Sequence, residues 1–311
     1  MKGTSLRRFT LCAVVAANVC SLAHGEALGL HAGRDNEIAQ YEEFGNWLGK
    51  PVMYRVTFAA DDSWDTIASP YFLTATRQWL ASDPSRVEVV SIPLVPKHSG
   101  TGTLDAVAAG QYDQYFTKLA ENLAGKTGAP SRIIVRLGWE PNGTWYAWSA
   151  VKSPQSYAKA FRHVVQTMRA VNKDLRYEWT LSRTGEKNFD WAATYPGDDV
   201  VDIVSMDVYD QYNHSWDELL NGKGGLKDFR KFARAHNKPE AYAEWSLSNS
   251  SAGHGDNQTF VQNMHDWFKS GNVLYAAYWN TSSGGPDAAI EGRHAGKVPN
   301  SAKAFKALFS Q

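Results

Sequence analysis

Eight short apolar stretches recur along this chain, each followed by a segment with helical patterning. That alternation limits the fold more than any other feature. The stretches cover residues 27–32, 52–58, 87–94, 132–138, 176–181, 202–208, 240–245 and 273–279. They are short, rich in β-branched and aromatic residues and bounded by turn formers, as buried strands are. Helical patterns lie at 38–48, 71–81, 112–124, 156–171, 216–235 and 258–269, with a single turn at 189–195 and a closing helix near 302–309. Strands alternating with helices imply right-handed crossovers and a parallel sheet. Eight such units predict an α/β fold, a (β/α)8 TIM barrel in one domain over residues 26–311. An open doubly wound sheet is the alternative. It is disfavoured because no glycine-rich phosphate loop follows the first stretch.

Residues 1–25 are expected to stand apart from that domain. They begin with Lys2, Arg7 and Arg8, run apolar from Phe9 to Val19, and end near the small residues Ala23 and Gly25. This is the pattern of a secretory signal, and the run is too short and interrupted for a membrane span. The expected product is secreted or periplasmic, with no membrane span in the mature chain. Both cysteines, Cys12 and Cys20, fall in that segment, so no disulfide is expected in the remainder. Without the segment the chain has 29 basic against 32 acidic residues. No basic stripe appears, which argues against a nucleic-acid partner. A monomer is expected.

In a barrel of this kind the active site lies at the C-terminal strand ends. There the sequence concentrates polar and aromatic residues: Lys97 and His98, Glu140, Asp207 and Tyr209, Glu244 and Trp245, Trp279 and Asn280. Successive side chains on a strand point to opposite faces. In the fourth strand Ile133, Val135 and Leu137 therefore face the helices, while Arg136 and Glu140 face the axis. In the sixth, Val204, Met206 and Val208 face out, and Asp207 and Tyr209 face in. In the seventh, Ala241 and Ala243 are read as outward, Tyr242 and Glu244 as inward. Arg136, Glu140, Asp207, Tyr209 and Glu244 should thus converge. An inward arginine needs a carboxylate partner, because an unpaired buried charge is costly.

Two carboxyl groups at strand ends suit glycoside hydrolysis, which needs one protonated acid and one ionised carboxylate flanking the bond. The run Glu140-Pro-Asn-Gly-Thr-Trp-Tyr-Ala-Trp148 adds aromatic faces on which sugar rings can stack. Residue by residue, the chain resembles glycoside hydrolase family 26, typified by endo-β-1,4-mannanases, within the clan of retaining (β/α)8 enzymes with glutamates on strands four and seven. The shared features are an arginine four residues before the first glutamate (Arg136), Glu-x-x-Gly-x-Trp (Glu140, Gly143, Trp145), Asp-x-Tyr after strand six (Asp207, Tyr209), a glutamate on strand seven (Glu244) and a tryptophan on strand eight (Trp279). The resemblance implies Glu140 as acid/base and Glu244 as nucleophile, with Tyr209 orienting Glu244 and Arg136 and Asp207 pairing behind them. Trp145 and Trp279 are expected to stack on sugars near the cleavage point. Trp139, Asn142, Trp148, Trp245 and His98 are further substrate-binding candidates. One departure stands out: the family's mannanases usually carry a histidine just before the acid/base, where this chain has Trp139.

The expected function is a secreted retaining endo-β-glycosidase acting on a polysaccharide or oligosaccharide, a β-mannan or mannose-containing glycan in the first place. A bacterial exopolysaccharide, a β-glucan or a β-xylan is the alternative substrate, and a non-catalytic glycan-binding barrel the alternative class. Neither cofactor nor metal is expected, since the nine histidines are scattered without metal-binding spacing.

Overall fold

The apolar stretches become eight parallel strands that close on themselves in sequence order. They are β1 (Ala27–His31), β2 (Tyr54–Phe58), β3 (Val87–Ile92), β4 (Ile133–Leu137), β5 (Arg176–Ser182), β6 (Ile203–Tyr209), β7 (Glu240–Ser246) and β8 (Val273–Trp279). The structure is a computed structural model and describes residues 27–311 apart from 36, 101, 125–131, 213, 283–285 and 292–296. The signal-like segment 1–25 lies outside the described residues. Around the strands run α1 (Ala39–Leu48), α2 (Trp64–Ala68), α3 (Leu73–Ser82), α4 (Thr103–Ala108), α5 (Asp113–Leu123), α6 (Pro154–Val171), α7 (Trp216–Asn221), α8 (Leu226–Ala235), α9 (Gln258–Lys269) and α10 (Pro299–Phe309), with a 3-10 turn at Trp191–Thr194. The α/β class and the single (β/α)8 TIM barrel are as expected.

Alternation along the strands divides the core in two. Tyr54, Val56, Val87, Val89, Ile134, Ile203, Ala241, Ala243, Tyr275 and Ala277 fill the barrel. The opposite faces, including Ile133, Val135, Leu137, Val204, Met206 and Val208, pack against the helices. The longest helix shows how they are held. In α6, Tyr157, Ala160, Phe161, Val164, Val165 and Met168 are buried at three- and four-residue spacing, one stripe of an amphipathic helix. Each large side chain in that stripe contributes about 1.5–3 kcal/mol by leaving water. Pro154 opens the helix, where its missing N–H would have no partner in any case.

The helix expected over 216–235 is two helices. Gly222, Gly224 and Gly225 separate α7 from α8, and Gly224 has φ +67°, a backbone state open to glycine at little cost. The short helices α2 and α4 were not expected. The reading of β7 also needs correction. Ala241 and Ala243 face into the barrel, while Tyr242 and Trp245 both face the helices. Two outward residues three apart break the two-residue period. The pairing of β7 with β8 shifts between Tyr242 and Trp245, and that with β6 shifts between Ser205 and Val208. This irregularity turns Glu244 inward; strict alternation from Tyr242 would have turned it out. Among the described residues no helix is long and apolar enough to cross a membrane.

Candidate active site

The β4 end is built by an unusual backbone. Gly138 and Glu140 both have positive φ, +51° and +53°. At Gly138 a Cβ would lie 2.5 Å from Leu94 Cδ1, so only glycine fits. Glu140 is a non-glycine residue held in the left-handed region, a strain that persists only where its surroundings impose it. Its amide donates to the Thr180 carbonyl (2.9 Å), which ties it to β5. Beyond it, the indole of Trp145 lies over Gly143. A Cβ there would meet the ring at 2.3 Å. With that space free, Trp145 folds back and its Nε1–H donates to Glu140 Oε2 (2.8 Å). The Glu-x-x-Gly-x-Trp spacing is thus a mechanical requirement. Trp145 keeps half its surface exposed.

Asn142 braces the loop from within. It is buried, its Nδ2 donates to the Ser182 carbonyl (2.7 Å) and its Oδ1 accepts from the Ser182 amide (2.9 Å). Both amide atoms clasp the β4 loop to the end of β5, and the Ser182 side chain lies close enough to Glu140 to pull its carboxyl downward.

Inside the barrel Arg136 is completely buried and organises the second carboxylate. Its Nη1 pairs with Glu244 Oε1 (2.7 Å) and its Nη2 with Asp207 Oδ2. Nε donates to Thr180 Oγ1 and Nη1 to Ser91 Oγ, both at 3.1 Å, while Glu178 stands 3.9 Å away. The Tyr209 hydroxyl donates to the other Glu244 oxygen, Oε2. Burial and the neighbouring Glu244 charge push the Tyr209 phenol upward, which keeps it a donor. Glu244 is therefore gripped on both oxygens by donors that a carboxylate satisfies.

Glu140 differs from it. Burial, then the charge of Glu244, push its carboxyl up to about 7, against the pull of Arg136. Burial also pushes Glu178 and Asp207 upward. Four carboxyl groups share one guanidinium, so the cluster retains protons that isolated carboxyls would lose.

Aromatic rings surround the pair. Trp279 stacks on His31 (centroids 4.1 Å apart) and meets Phe58 and Tyr209 edge-on. Trp139 packs on Phe58, and its Nε1 donates to the Tyr146 hydroxyl (2.8 Å). The structure thus brings together Glu140, Glu244, Arg136, Asp207, Tyr209, Trp139, Trp145 and Trp279. Three candidates lie elsewhere. Trp148 is fully buried beneath Trp139, to whose carbonyl its Nε1 donates (2.7 Å). Trp245 is fully buried among Phe260, Phe268 and Phe305 on the helix side of the wall, because of the β7 irregularity. His98 is exposed after β3, beside Lys97 and Asp62. Ser91, Thr180 and Glu178 were missed. The register pairs Ser91 with Arg136 and Arg136 with Glu178, so their inward faces followed from strand alternation alone.

Fold and site define a parallel (β/α)8 barrel whose mouth holds two carboxyl groups of unlike surroundings, ringed by aromatic side chains. The model of glycosyl hydrolase family 26 matches residues 97–237, a span that includes Arg136, Glu140 and Tyr209 and ends before Glu244. Over that span, somewhat less than half of its length, the chain is similar to that family. It is 30% identical over 217 residues to a mannan endo-1,4-beta-mannosidase of Bifidobacterium adolescentis, covering 64% of this chain and 21% of the relative. It is 28% identical over 188 residues to endoglucanase H of Acetivibrio thermocellus, covering 55% and 19%. The chain thus matches about a fifth of the length of each of these relatives. Among solved structures, a Cellulomonas fimi endo-beta-1,4-mannanase double mutant superposes with TM-score 0.68 at 19% identity, over 91% of this chain and 70% of that one. A GH26 beta-mannanase from Bacteroides ovatus gives TM-score 0.68 at 18% identity, over 92% and 88%. At such identities these two likenesses speak for the fold.

Proposed function

We propose that this protein is a secreted retaining endo-β-glycosidase that cleaves a β-mannan or mannose-containing glycan by double displacement. The observation that carries the reading is the unequal treatment of two carboxyls in one cleft. Glu244, fixed by Arg136 and Tyr209, acts as the nucleophile on the anomeric carbon. Glu140, pushed up to about 7, holds a proton in mildly acidic solution and gives it to the departing glycosidic oxygen. Once Glu244 is esterified by the sugar its charge is gone, and with it one of the two causes that raise Glu140. Glu140 then becomes the stronger acid, loses its proton more readily, and serves as the base that activates water. Microscopic reversibility requires this exchange of roles. Activity should fall as pH rises through about 7, where Glu140 loses the proton it must donate.

The mannan preference draws on the Bifidobacterium relative. A second substrate reading, a β-glucan or β-xylan, draws on the endoglucanase H likeness and on 28% identity over 148 residues to a beta-1,3-xylanase of a Vibrio species. Trp139, standing where mannanases of the resembled family usually carry histidine, favours it too. The test is release of reducing ends from a panel of soluble β-mannans, β-glucans, β-xylans and bacterial exopolysaccharides by the native chain beside Glu244→Ala. Release by the first alone supports a hydrolase and names its glycan. Binding without release by either would favour the non-catalytic barrel.

A further inference from the structure

A cavity of about 500 Å³ opens beside the cleft between the segments that follow β5 and β6. Its volume lies within the range of small-ligand sites. Ser182 and Asn142 line it, and these are the residues that adjoin and brace Glu140. Neither Arg136 nor Glu244 does. An acid gives its proton to the oxygen that leaves with the departing sugar, so the leaving group lies on the side of the acid. The cavity is on that side.

Its walls are unusual in charge. Arg183, Lys187, Lys223 and His214 line it, with Glu186 and Glu218 as the opposing carboxylates. Arg183 is half-buried. Its Nε donates to the Leu219 carbonyl (3.2 Å) and its Nη2 to the Glu218 carbonyl (2.5 Å), which fixes the guanidinium without neutralising it. Among the described residues no carboxylate lies within 4.0 Å of Arg183, Lys187 or Lys223. His214 is buried and its Nδ1 has no hydrogen-bond partner; its Nε2 is 3.7 Å from Glu218. Glu218 and Asp228 act on Arg183 only through space, and burial still pulls its guanidinium downward, so a half-buried cation with no carboxylate in contact gains from an anion brought to it. At the rim, Tyr212 is more than half exposed and sits at φ +61°, its amide held by the Ala252 carbonyl. An exposed aromatic kept in a strained backbone state points to use of its face.

We propose that this cavity is a subsite for the leaving-group portion of the glycan and that it accepts a sugar bearing a carboxylate. Arg183 and Lys187 meet the anion and Tyr212 supports the ring. The proposal rests on the glycosidase reading for its orientation, but not for its chemistry. The carboxylate can belong to a uronic acid or to an acidic substituent such as a pyruvate ketal.

Three probes test it by calorimetry in a Glu244→Ala background, which prevents turnover. They are β-1,4-mannobiose, β-1,4-dimannuronate and mannobiose carrying a 4,6-pyruvate ketal. The first two differ only in hydroxymethyl against carboxylate. At low salt, dimannuronate or the ketal should bind about fivefold tighter than mannobiose, roughly 1 kcal/mol. Which of them does so identifies the source of the anion. Arg183→Gln should abolish the advantage. Lys187→Gln, at an exposed position, should reduce it without touching the fold. Equal affinity for all three probes, or an advantage that survives both substitutions, overturns the proposal. Hydrolysis of neutral β-glycans by the native chain is read separately, so either reading can fail alone.

Discussion

Arg55 and Arg136 are both completely buried guanidiniums on strands of the same barrel wall, and they do opposite work. Arg55 faces the helix layer. Its Nε meets Glu88 at 2.8 Å, Nη1 the Asp35 carbonyl at 2.8 Å and Nη2 the Thr76 hydroxyl at 3.0 Å. The other Glu88 oxygen accepts from Thr57 (2.8 Å). One carboxylate, Glu88, is paired in contact with this cation, and the buried Asp35 adds a second negative charge nearby. Arg136 faces the axis, paired with Glu244 and Asp207 and with Glu178 in reach. There the negative groups outnumber the cation, and Asp207 Oδ1 has no hydrogen-bond partner. The arginine on the helix side has one carboxylate in contact; the axial one has two in contact and a third in reach.

Removing the acid from each arginine separates the two roles. Glu244→Ala should lower kcat by roughly three orders of magnitude or more, at least about 4 kcal/mol of barrel chemistry. Its far-UV circular dichroism should be native, because Asp207 still pairs Arg136. Glu88→Ala leaves Arg55 as an uncompensated buried charge. It should cost about 3–5 kcal/mol of stability in urea unfolding while kcat of the folded fraction stays near native. If Glu88→Ala instead abolished turnover in folded protein, the division between the two arginines would collapse.

Glu140 sharpens the contrast through pH. A carboxyl whose folded pKa is raised disfavours folding once the unfolded chain ionises it. The penalty is absent below about 4.5, grows as pH rises to about 7, and is full above that. Glu140→Gln should therefore be more stable than native at pH 8, by up to about 3 kcal/mol, and no more stable at pH 4. No difference between variant and native at either pH would mean that folding does not raise the Glu140 carboxyl. A smaller effect is expected at Tyr209→Phe, which removes one hydrogen bond to a charged group, about 1.5–3 kcal/mol. It should lower kcat on the order of tenfold to a hundredfold. Smallest is Trp145→Ala, expected to lower kcat/KM several-fold, about 0.5–1.5 kcal/mol of stacking. Trp245→Ala should act on stability alone.

Much of this was legible in the sequence where strands keep their period. In β4 and β6 alternation correctly sends Arg136, Asp207 and Tyr209 to the axis. It fails in β7, because a register shift is set by how three strands pair and leaves no local mark. For that reason Glu244 was placed correctly for a wrong reason, and Trp245 was mistaken for a cleft residue. Proximity in sequence is a poor guide at Trp148, where the loop folds under itself. Glu178, a charge within the apolar run of β5, is legible from its position inside the strand rather than at its end.

The most direct test of the central claim is the anomeric configuration of the first product, followed by proton NMR during hydrolysis of whichever β-glycan the panel identifies. If Glu244 attacks and water then displaces it, the β anomer appears first and the α anomer grows only by mutarotation. An α anomer formed first would mean that water attacks directly, and would contradict the assignment of Glu244 as nucleophile.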